Sequence, residues 1–458
     1  MHKQSNSNSV ILTISFSQFV MPLMFSGIGI TLPSVGHDLQ ATGVQLGLVE
    51  SIYLGAAAAI LLPMGRVADL TDKKTIFKAG LIFYMLITFA LGFLQQIELF
   101  IGLRLLQGIA GGMLLATNMA ILSELVPKKS LGRAIGFAVG SVYLGLTTGP
   151  FIAGIITTQL GWRYVYYLGG VLIGVAALIS LKNIPSDKKM KFVTIDLVGT
   201  LLIITSISLL VAGSSSLGRG VVGYSLLVLG IITMLLFLAS QTRVKDPLIS
   251  LKMILSNSKL TSALLVQLIN YAGTFGMTFL FSLYLQTVKE MTPQEAGITL
   301  MISPVIMAVF APVFGRISDT VSPAKITLIG MCFCLLSTLI AWSVDATTPM
   351  WVLYVQFALM GFGFAMFSSP NMNIIMSSVE KKFLGMASAI VAELRSLGMV
   401  ISLTLITIFL SLYVGKNEIS IEHAPEYLQA MHFSIISFVF LMVIGVTISA
   451  LSLKNHPK

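Results

Sequence analysis

The chain has 458 residues, is 56% apolar and carries Asp, Glu, Lys and Arg at only 10%, against about 25% in soluble proteins. A soluble enzyme of this size needs a charged surface that these residues cannot supply, so that class is excluded. The net charge of +10 needs another explanation, and its distribution along the chain provides one.

Taken in chain order, apolar blocks of about 20 residues, enough to span a bilayer as a helix, fall near 11–33, 43–64, 75–94, 99–122, 134–158, 164–181, 197–214, 224–241, 260–286, 296–315, 325–343, 350–371, 385–411 and 431–452. Fourteen spans place both termini on one side. The loops of that side hold 22 of the 28 Lys and Arg, among them Lys73, Lys74, Lys128, Lys129, Lys188, Lys189, Lys381 and Lys382. Arg163, Arg219, Lys289 and Lys416 lie opposite, and Arg104 and Arg395 lie within spans. Basic loops stay cytoplasmic, so both termini are expected there, and the basic charge reads as topology and not as nucleic-acid binding. Trp162, Trp342 and Trp351 fall at outer span ends, where an interfacial aromatic belt is expected.

Met1 to Ser9 carries one lysine and no small-residue cleavage site, so the first span is expected to be retained. Cys332 and Cys334 share one span on different helix faces and read as small core residues. The five histidines are dispersed without metal-ligand spacing. Neither a nucleophile–base constellation nor a nucleotide-binding P-loop is visible; the chain is expected to be no enzyme, to use no ATP and to need no cofactor or metal.

A repeat sits inside the chain. Gly65-Arg66-Val67-Ala68-Asp69 returns as Gly315-Arg316-Ile317-Ser318-Asp319, and Val126-Pro127-Lys128-Lys129-Ser130-Leu131-Gly132 returns as Val379-Glu380-Lys381-Lys382-Phe383-Leu384-Gly385. The offsets are similar and each copy closes an even-numbered span. The predicted organisation is an N-terminal six-helix bundle over 1–182, an inserted helix pair with flanking cytoplasmic loops over 183–257, and a C-terminal six-helix bundle over 258–458. Parallel repeats of this kind are a transporter architecture with a central site between them.

Several of these segments resemble family motifs. Gly65 to Lys74 resembles the signature between spans two and three of the major facilitator superfamily, and Arg104-Leu105-Leu106-Gln107-Gly108 its span-four motif. Gly145-Leu146-Thr147-Thr148-Gly149-Pro150-Phe151-Ile152-Ala153-Gly154 looks like the span-five antiporter motif. Trp162-Arg163, Asp196-Leu197-Val198-Gly199 and Tyr284-Leu285-Gln286, followed by Ala296-Gly297 and Pro304, are similar to the fourteen-span drug:proton antiporters. The resemblance implies a major-facilitator-type all-α fold, alternating access, and multidrug efflux driven by inward proton flow. It implies lipophilic, cationic drugs and protons as partners, a bacterial plasma-membrane location, and function as a monomer. Alternatives are a dedicated exporter of one metabolite or antibiotic, or a non-transporting receptor on the same fold. The sequence departs from the family at Leu70 and Asp72, and Met24 stands where a span-one acid is usual.

Ionisable groups inside a bilayer are costly and mark function. With Met24 in place of the acid, Glu50 and Glu393 are the carboxylates well inside spans. Either could bind a proton when desolvated and release it when hydrated. Glu393 is expected to carry the coupling proton, Glu50 to attract cationic substrates near the outer mouth, and Arg104 to hold Gln107 or tune a coupling glutamate. Gln107, Asn118, Gln267, Asn270, Tyr271 and Phe275 are candidate cavity residues. Gly145, Gly149 and Pro150 would allow close approach and bending of span five. Gly65, Asp69 and Arg133 would form a gating contact that breaks as the site reopens inward.

Overall fold

The computed structural model describes residues 7–185, 196–244, 247–318, 320–380, 384–415, 417 and 419–455, without the side chains of Ser7, 69, 70, 128–133, 384–386, 388 and 389. The described residues include fourteen helices long and apolar enough to cross a membrane. They are α1 Ser7–Leu39, α2 Gly43–Leu70, α3 Lys73–Leu91, α4 Ile97–Leu125, α5 Lys128–Gln159, α6 Arg163–Asn183, α7 Leu197–Ser215 and α8 Val221–Gln241. After a short turn of helix at Leu251–Leu255 come α9 (Ser258–Thr274, Met277–Leu283 and a π-helical turn at Tyr284–Val288) and α10 (Pro293–Leu300 and Ile302–Ile317). The last four are α11 Pro323–Trp342, α12 Met350–Ser377, α13 Leu384–Tyr413 and α14 Ala424–Asn455. Several exceed the expected spans by a turn or two at each end.

Local chemistry sets the boundaries. Thr42 accepts from the Gln45 amide while the Gln45 side chain accepts from the Thr42 amide, and Thr292 with Glu295 repeats this reciprocal cap at the start of α10. Asp72 caps α3 and Asn257 caps α9 through side-chain oxygens. Gly161 and Gly220 turn the chain between helices at φ of 99° and 62°, where a side chain is disfavoured. In the 343–349 loop, hydroxyl donors from Thr347 and Thr348 hold the Asp345 carboxyl below its ordinary range. That ordered loop offers carbonyls to α9: Tyr284 Oη bonds Asp345 O at 2.6 Å, and Lys289 Nζ bonds Ala346 O and Thr348 O.

The repeat is visible as packing. In the first half α1 packs on α5, α2 on α4, and α3 on α4 and α6. In the second half α9 packs on α13, α10 on α12, and α11 on α12 and α14, the same pattern shifted by eight helices. Two seams join the halves, α2 against α13 and α5 against α10, and the repeat exchanges one seam for the other. The fold is two six-helix bundles with α7 and α8 inserted between them in sequence. That inserted pair lies on one seam only, with α7 against both α2 and α13.

Two sequence readings change here. Trp162 is not part of an interfacial belt: it is 4% exposed and donates through Nε1 to Asp38 at 3.0 Å, whereas Trp342 and Trp351 are exposed as expected. Arg163 also bonds Asp38 and reaches the Leu94 carbonyl at 3.2 Å, tying α1, the α3–α4 connection and α6 together. Cys334 is buried but Cys332 is exposed, so only one of the pair is a core residue.

Candidate functional site

The end of the bundle where α1 begins and α14 finishes is called proximal, and the other end distal. The described hydrogen bonds between the halves lie at the distal end. Ser282 Oγ donates to Gly29 O at 2.6 Å, Gln286 Nε2 to Ile30 O at 3.1 Å, the Gln294 amide to Thr158 Oγ1 at 3.1 Å, and the Gly43 amide to Asn417 O at 3.2 Å. The α5–α10 seam closes on small residues. A Cβ added to Gly154 would lie 2.6 Å from Pro293 O, and one added to Gly297 would strike Pro150 O. An open groove of about 420 Å³ runs along the proximal stretch of α5, against Gly136, Phe137, Gly140, Ser141 and Leu144. Among the described residues, the polar contacts between the halves are thus distal.

This divides the glycine-rich motif of α5 into two tasks. Gly145 and Gly149 face α1 within their own half, beneath Phe19 O and beside Leu23 O and Ser26. Pro150 and Gly154 face α10 across the seam. Gly65, five residues before the end of α2, has open space around it. The side chains of Asp69 and Arg133, expected to form a gate with it, lie outside the described residues. Nearby, Lys73 and Lys74 both pair with Glu124 of α4, at 3.0 and 2.9 Å.

Glu50 and Arg104 form a buried pair. Glu50 Oε2 lies 3.6 Å from Arg104 Nη2, with the two residues 4% and 0% exposed. Arg104 donates further to Val49 O at 3.2 Å and to Gln107 Oε1 at 2.7 Å, and Gln107 donates to Thr88 at 2.8 Å. Its guanidinium sits 4.3 Å from the centre of the Tyr53 ring, and Tyr53 and Tyr84 share a hydroxyl contact at 3.3 Å. Arg104 has no nearby acid in its own helix; its acid comes from α2. Because the pair is charge-compensated and sealed between α2, α3 and α4, Glu50 is not an open carboxylate at an outer mouth. Gln107 is committed to Arg104 and Thr88 and does not line a cavity.

Other candidates are corrected on the same ground. Asn118 is buried and donates to Gln18 at 3.1 Å, joining α4 to α1. Asn270 is buried and donates to Met331 Sδ, while Gln267 accepts from Asn371 at 3.0 Å. Their polar atoms glue helices within one half. Met24 fills the space above Gly169 of α6, so the position of the usual span-one acid is a packing site here.

Glu393 differs from all of these. It lies about a third of the way along the 30-residue α13 and is 0% exposed, with neither carboxylate oxygen hydrogen-bonded. Buried carboxylates are normally satisfied. Arg395, two residues on, is half-buried and lies within electrostatic range of Tyr271 of α9. Tyr271 and Phe275 are both half-buried, and Phe275 stacks on Phe25 of α1 at 5.6 Å and 21°. Phe25 was not legible as a site residue, because a phenylalanine in an apolar span carries no local mark.

The geometry is that of two parallel helix repeats joined along two seams, with charged groups buried inside apolar helices. Residues 14–403 match the profile of the Major Facilitator Superfamily. The chain belongs to that superfamily. It is a multi-pass membrane transporter by family and fold. It is 24% identical to the riboflavin transporter RibZ of Clostridioides difficile, covering 98% of each chain. It is also 24% identical to a tetracenomycin C resistance and export protein of Streptomyces glaucescens, covering 88% of this chain and 76% of that protein. The multidrug resistance protein Stp of Mycobacterium tuberculosis is likewise 24% identical, over 85% of this chain and 73% of that one. In fold it matches the crystal structure of a bacterial homologue of the human lysosomal transporter Spinster, described as inward-facing and unoccupied, with a TM-score of 0.72 at 12% identity. That match covers 98% of this chain and 97% of the other.

Proposed function

We propose that this chain is a proton-coupled exporter of lipophilic compounds in a bacterial plasma membrane, working as a monomer by alternating access. The single observation that carries the reading is Glu393, a fully buried carboxylate inside a membrane-spanning helix with no hydrogen-bond partner. Such a group favours its protonated form while dry and releases the proton when a conformational change hydrates it. The protonated and deprotonated forms then belong to different states of the cycle, which is the requirement for coupling. Relatives named for multidrug resistance and antibiotic export support efflux as the direction.

The lysine and arginine distribution supports a cytoplasmic proximal end. On that reading the distal closure and proximal groove correspond to a state open to the cytoplasm. Asp69 and Arg133 are proposed to gate the opposite state. The expectation of cationic substrates rests now on Glu393 alone, since Glu50 is neutralised by Arg104. The full-length match to a riboflavin transporter favours a second reading, a dedicated exporter of one compound. The test is efflux of a dye and antibiotic panel from cells with and without a proton uncoupler. Glu393→Gln is expected to abolish the uncoupler-sensitive component. Undiminished, uncoupler-sensitive efflux by that variant overturns the assignment.

A further inference from the structure

At the proximal end of the second half, a small pocket opens between α9, α11, α12 and α14. Its volume is about 20 Å³, room for one small polar group. Lys259 and Ser262 of α9, Thr327 of α11, Asn371 of α12, and Ser449 and Ser452 of α14 line it. Two of these residues hold oxygens without a hydrogen-bond partner, Thr327 Oγ1 and Asn371 Oδ1, although the residues are only 2% and 1% exposed. The Asn371 nitrogen is committed to α9, donating to Ala263 O at 3.1 Å and to Gln267 Oε1 at 3.0 Å. Lys259 is half-buried, and among the described residues no carboxylate pairs with it.

The first half shows that the fold does not require this chemistry. Thr327 corresponds to Phe77 by the spacing that relates Gly65 to Gly315, and Lys259 to Val10 by the spacing that relates Gln18 to Gln267. Contacts fix the second register, because Asn118 donates to Gln18 as Asn371 donates to Gln267. Phe77 and Val10 are both 0% exposed. The first half therefore fills with a ring and a branched chain the place where the second keeps a hydroxyl and an amine. Two orphaned oxygens and a lysine without a counter-charge are costly in one pocket unless a ligand joins them.

We infer that the pocket takes the glycerol phosphate head group of phosphatidylglycerol from the bilayer leaflet at the proximal end. The terminal hydroxyl of the head group enters the pocket, donates to Asn371 Oδ1 and meets the Thr327 hydroxyl. The phosphate stays at the mouth beside Lys259. A hydroxyl both donates and accepts, which suits an amide oxygen next to a threonine. An ethanolamine ammonium also donates, but it carries the same charge as Lys259, and choline has no donor. Position favours a lipid over a soluble anion. Lys259 is the second residue of α9, and Asn371 lies in the last two turns of α12, so the mouth stands at the end of the spans. Lys325 follows Ala324 of the lining and Lys454 lies just past Ser452, and lysines at a membrane surface attract anionic lipid. A water alone would satisfy the oxygens and leave Lys259 without a counter-charge. The inference does not depend on what the protein exports.

The test uses the full chain, stripped of lipid in detergent, and lipids with matched acyl chains. These are phosphatidylglycerol, phosphatidylmethanol, which has the same charge without the glycerol hydroxyls, and phosphatidylcholine; soluble glycerol phosphate is the fourth probe. Native mass spectrometry gives the affinities, and thermal unfolding is followed alongside. Phosphatidylglycerol is expected to bind about fivefold more tightly than phosphatidylmethanol, as one added hydrogen bond would give. Thr327→Val should remove most of that preference and Thr327→Ser should keep it. Because Thr327 Oγ1 has no partner in the protein, the lipid-free Thr327→Val variant should unfold no earlier than the parent. Lys259→Gln should weaken both anionic lipids about fivefold relative to phosphatidylcholine while leaving their ratio unchanged. Equal binding of phosphatidylglycerol and phosphatidylmethanol, or a preference that Thr327→Val leaves intact, overturns the inference. Glycerol phosphate binding as tightly as phosphatidylglycerol also overturns it, by assigning the pocket to a soluble ligand.

Discussion

Arg104 carries four contacts at once, to Glu50, Val49, Gln107 and the face of Tyr53, and all four partners are buried. Removing one member of a buried pair leaves an uncompensated charge, which costs about 3–5 kcal/mol, whereas removing both with neutral side chains of similar size is often close to neutral. Arg104→Ala is therefore expected to lower thermal stability in detergent sharply, and Glu50→Gln less so because Gln keeps the shape. Glu50→Gln combined with Arg104→Gln should recover part of the loss. Scanning fluorimetry of the three variants checks the order; a double variant as unstable as Arg104→Ala would mean the pair is not the source. The same residues show what was legible. That Glu50 and Arg104 were exceptional followed from charge inside an apolar span. That they face each other did not, because helices of a membrane bundle are apolar on every side and local pattern does not say which face meets which neighbour. Trp162 was misread for the same reason, its partner Asp38 lying 124 residues away.

Among elements, α5 and the inserted pair show how motif residues divide between architecture and motion. Asp196 caps α7 by accepting from the Gly199 amide at 2.8 Å and also accepts from Gln241 of α8 at 2.8 Å, while Gln241 accepts from the Leu248 amide at 2.7 Å. The Asp196-Leu197-Val198-Gly199 segment is thus a fastener for the inserted pair. Asp196→Ala removes a cap and an interhelical bond, each about 1 kcal/mol, and should loosen α7–α8 in hydrogen exchange while α1–α6 stay protected. The glycines of the α5–α10 seam act differently, because their contact exists only where the distal ends meet. Gly297→Ala places a methyl against Pro150 O and should shift the population toward distal-open states. Increased labelling of a single cysteine at Gln294, in a background lacking Cys332 and Cys334, is the expected readout. The hydropathy of the chain made the helices legible; the seams were not, since small residues serve packing within a half, as Gly145 and Gly149 do, as readily as packing between halves.

At the scale of the whole molecule, the repeat carries each seam onto the other at the same end of the bundle, so by the symmetry of the halves alone the two seams are equivalent. The inserted pair breaks this symmetry. Gly55 of α2 packs against Ile207 and Val211 of α7, and the Gly218 amide, just beyond α7, bonds Ser411 of α13 at 3.1 Å. Among the described residues, the inserted pair thus backs the α2–α13 seam and not the α5–α10 seam. Rocking of the halves must stretch the unbacked seam most freely, so the distal contact between α5 and α10 should be the one whose locking stops the cycle. Cysteines introduced at Thr158 and Gln294, which share a hydrogen bond, test this in the chain lacking Cys332 and Cys334. A short bifunctional thiol reagent with a reducible spacer should abolish efflux, and reductant should restore it. Substrate binding to the crosslinked protein should persist, because the central space remains reachable from the proximal end. Efflux that continues at its normal rate with the pair fully crosslinked would show that these distal ends need not part, and the alternating-access assignment of the two seams would then be wrong.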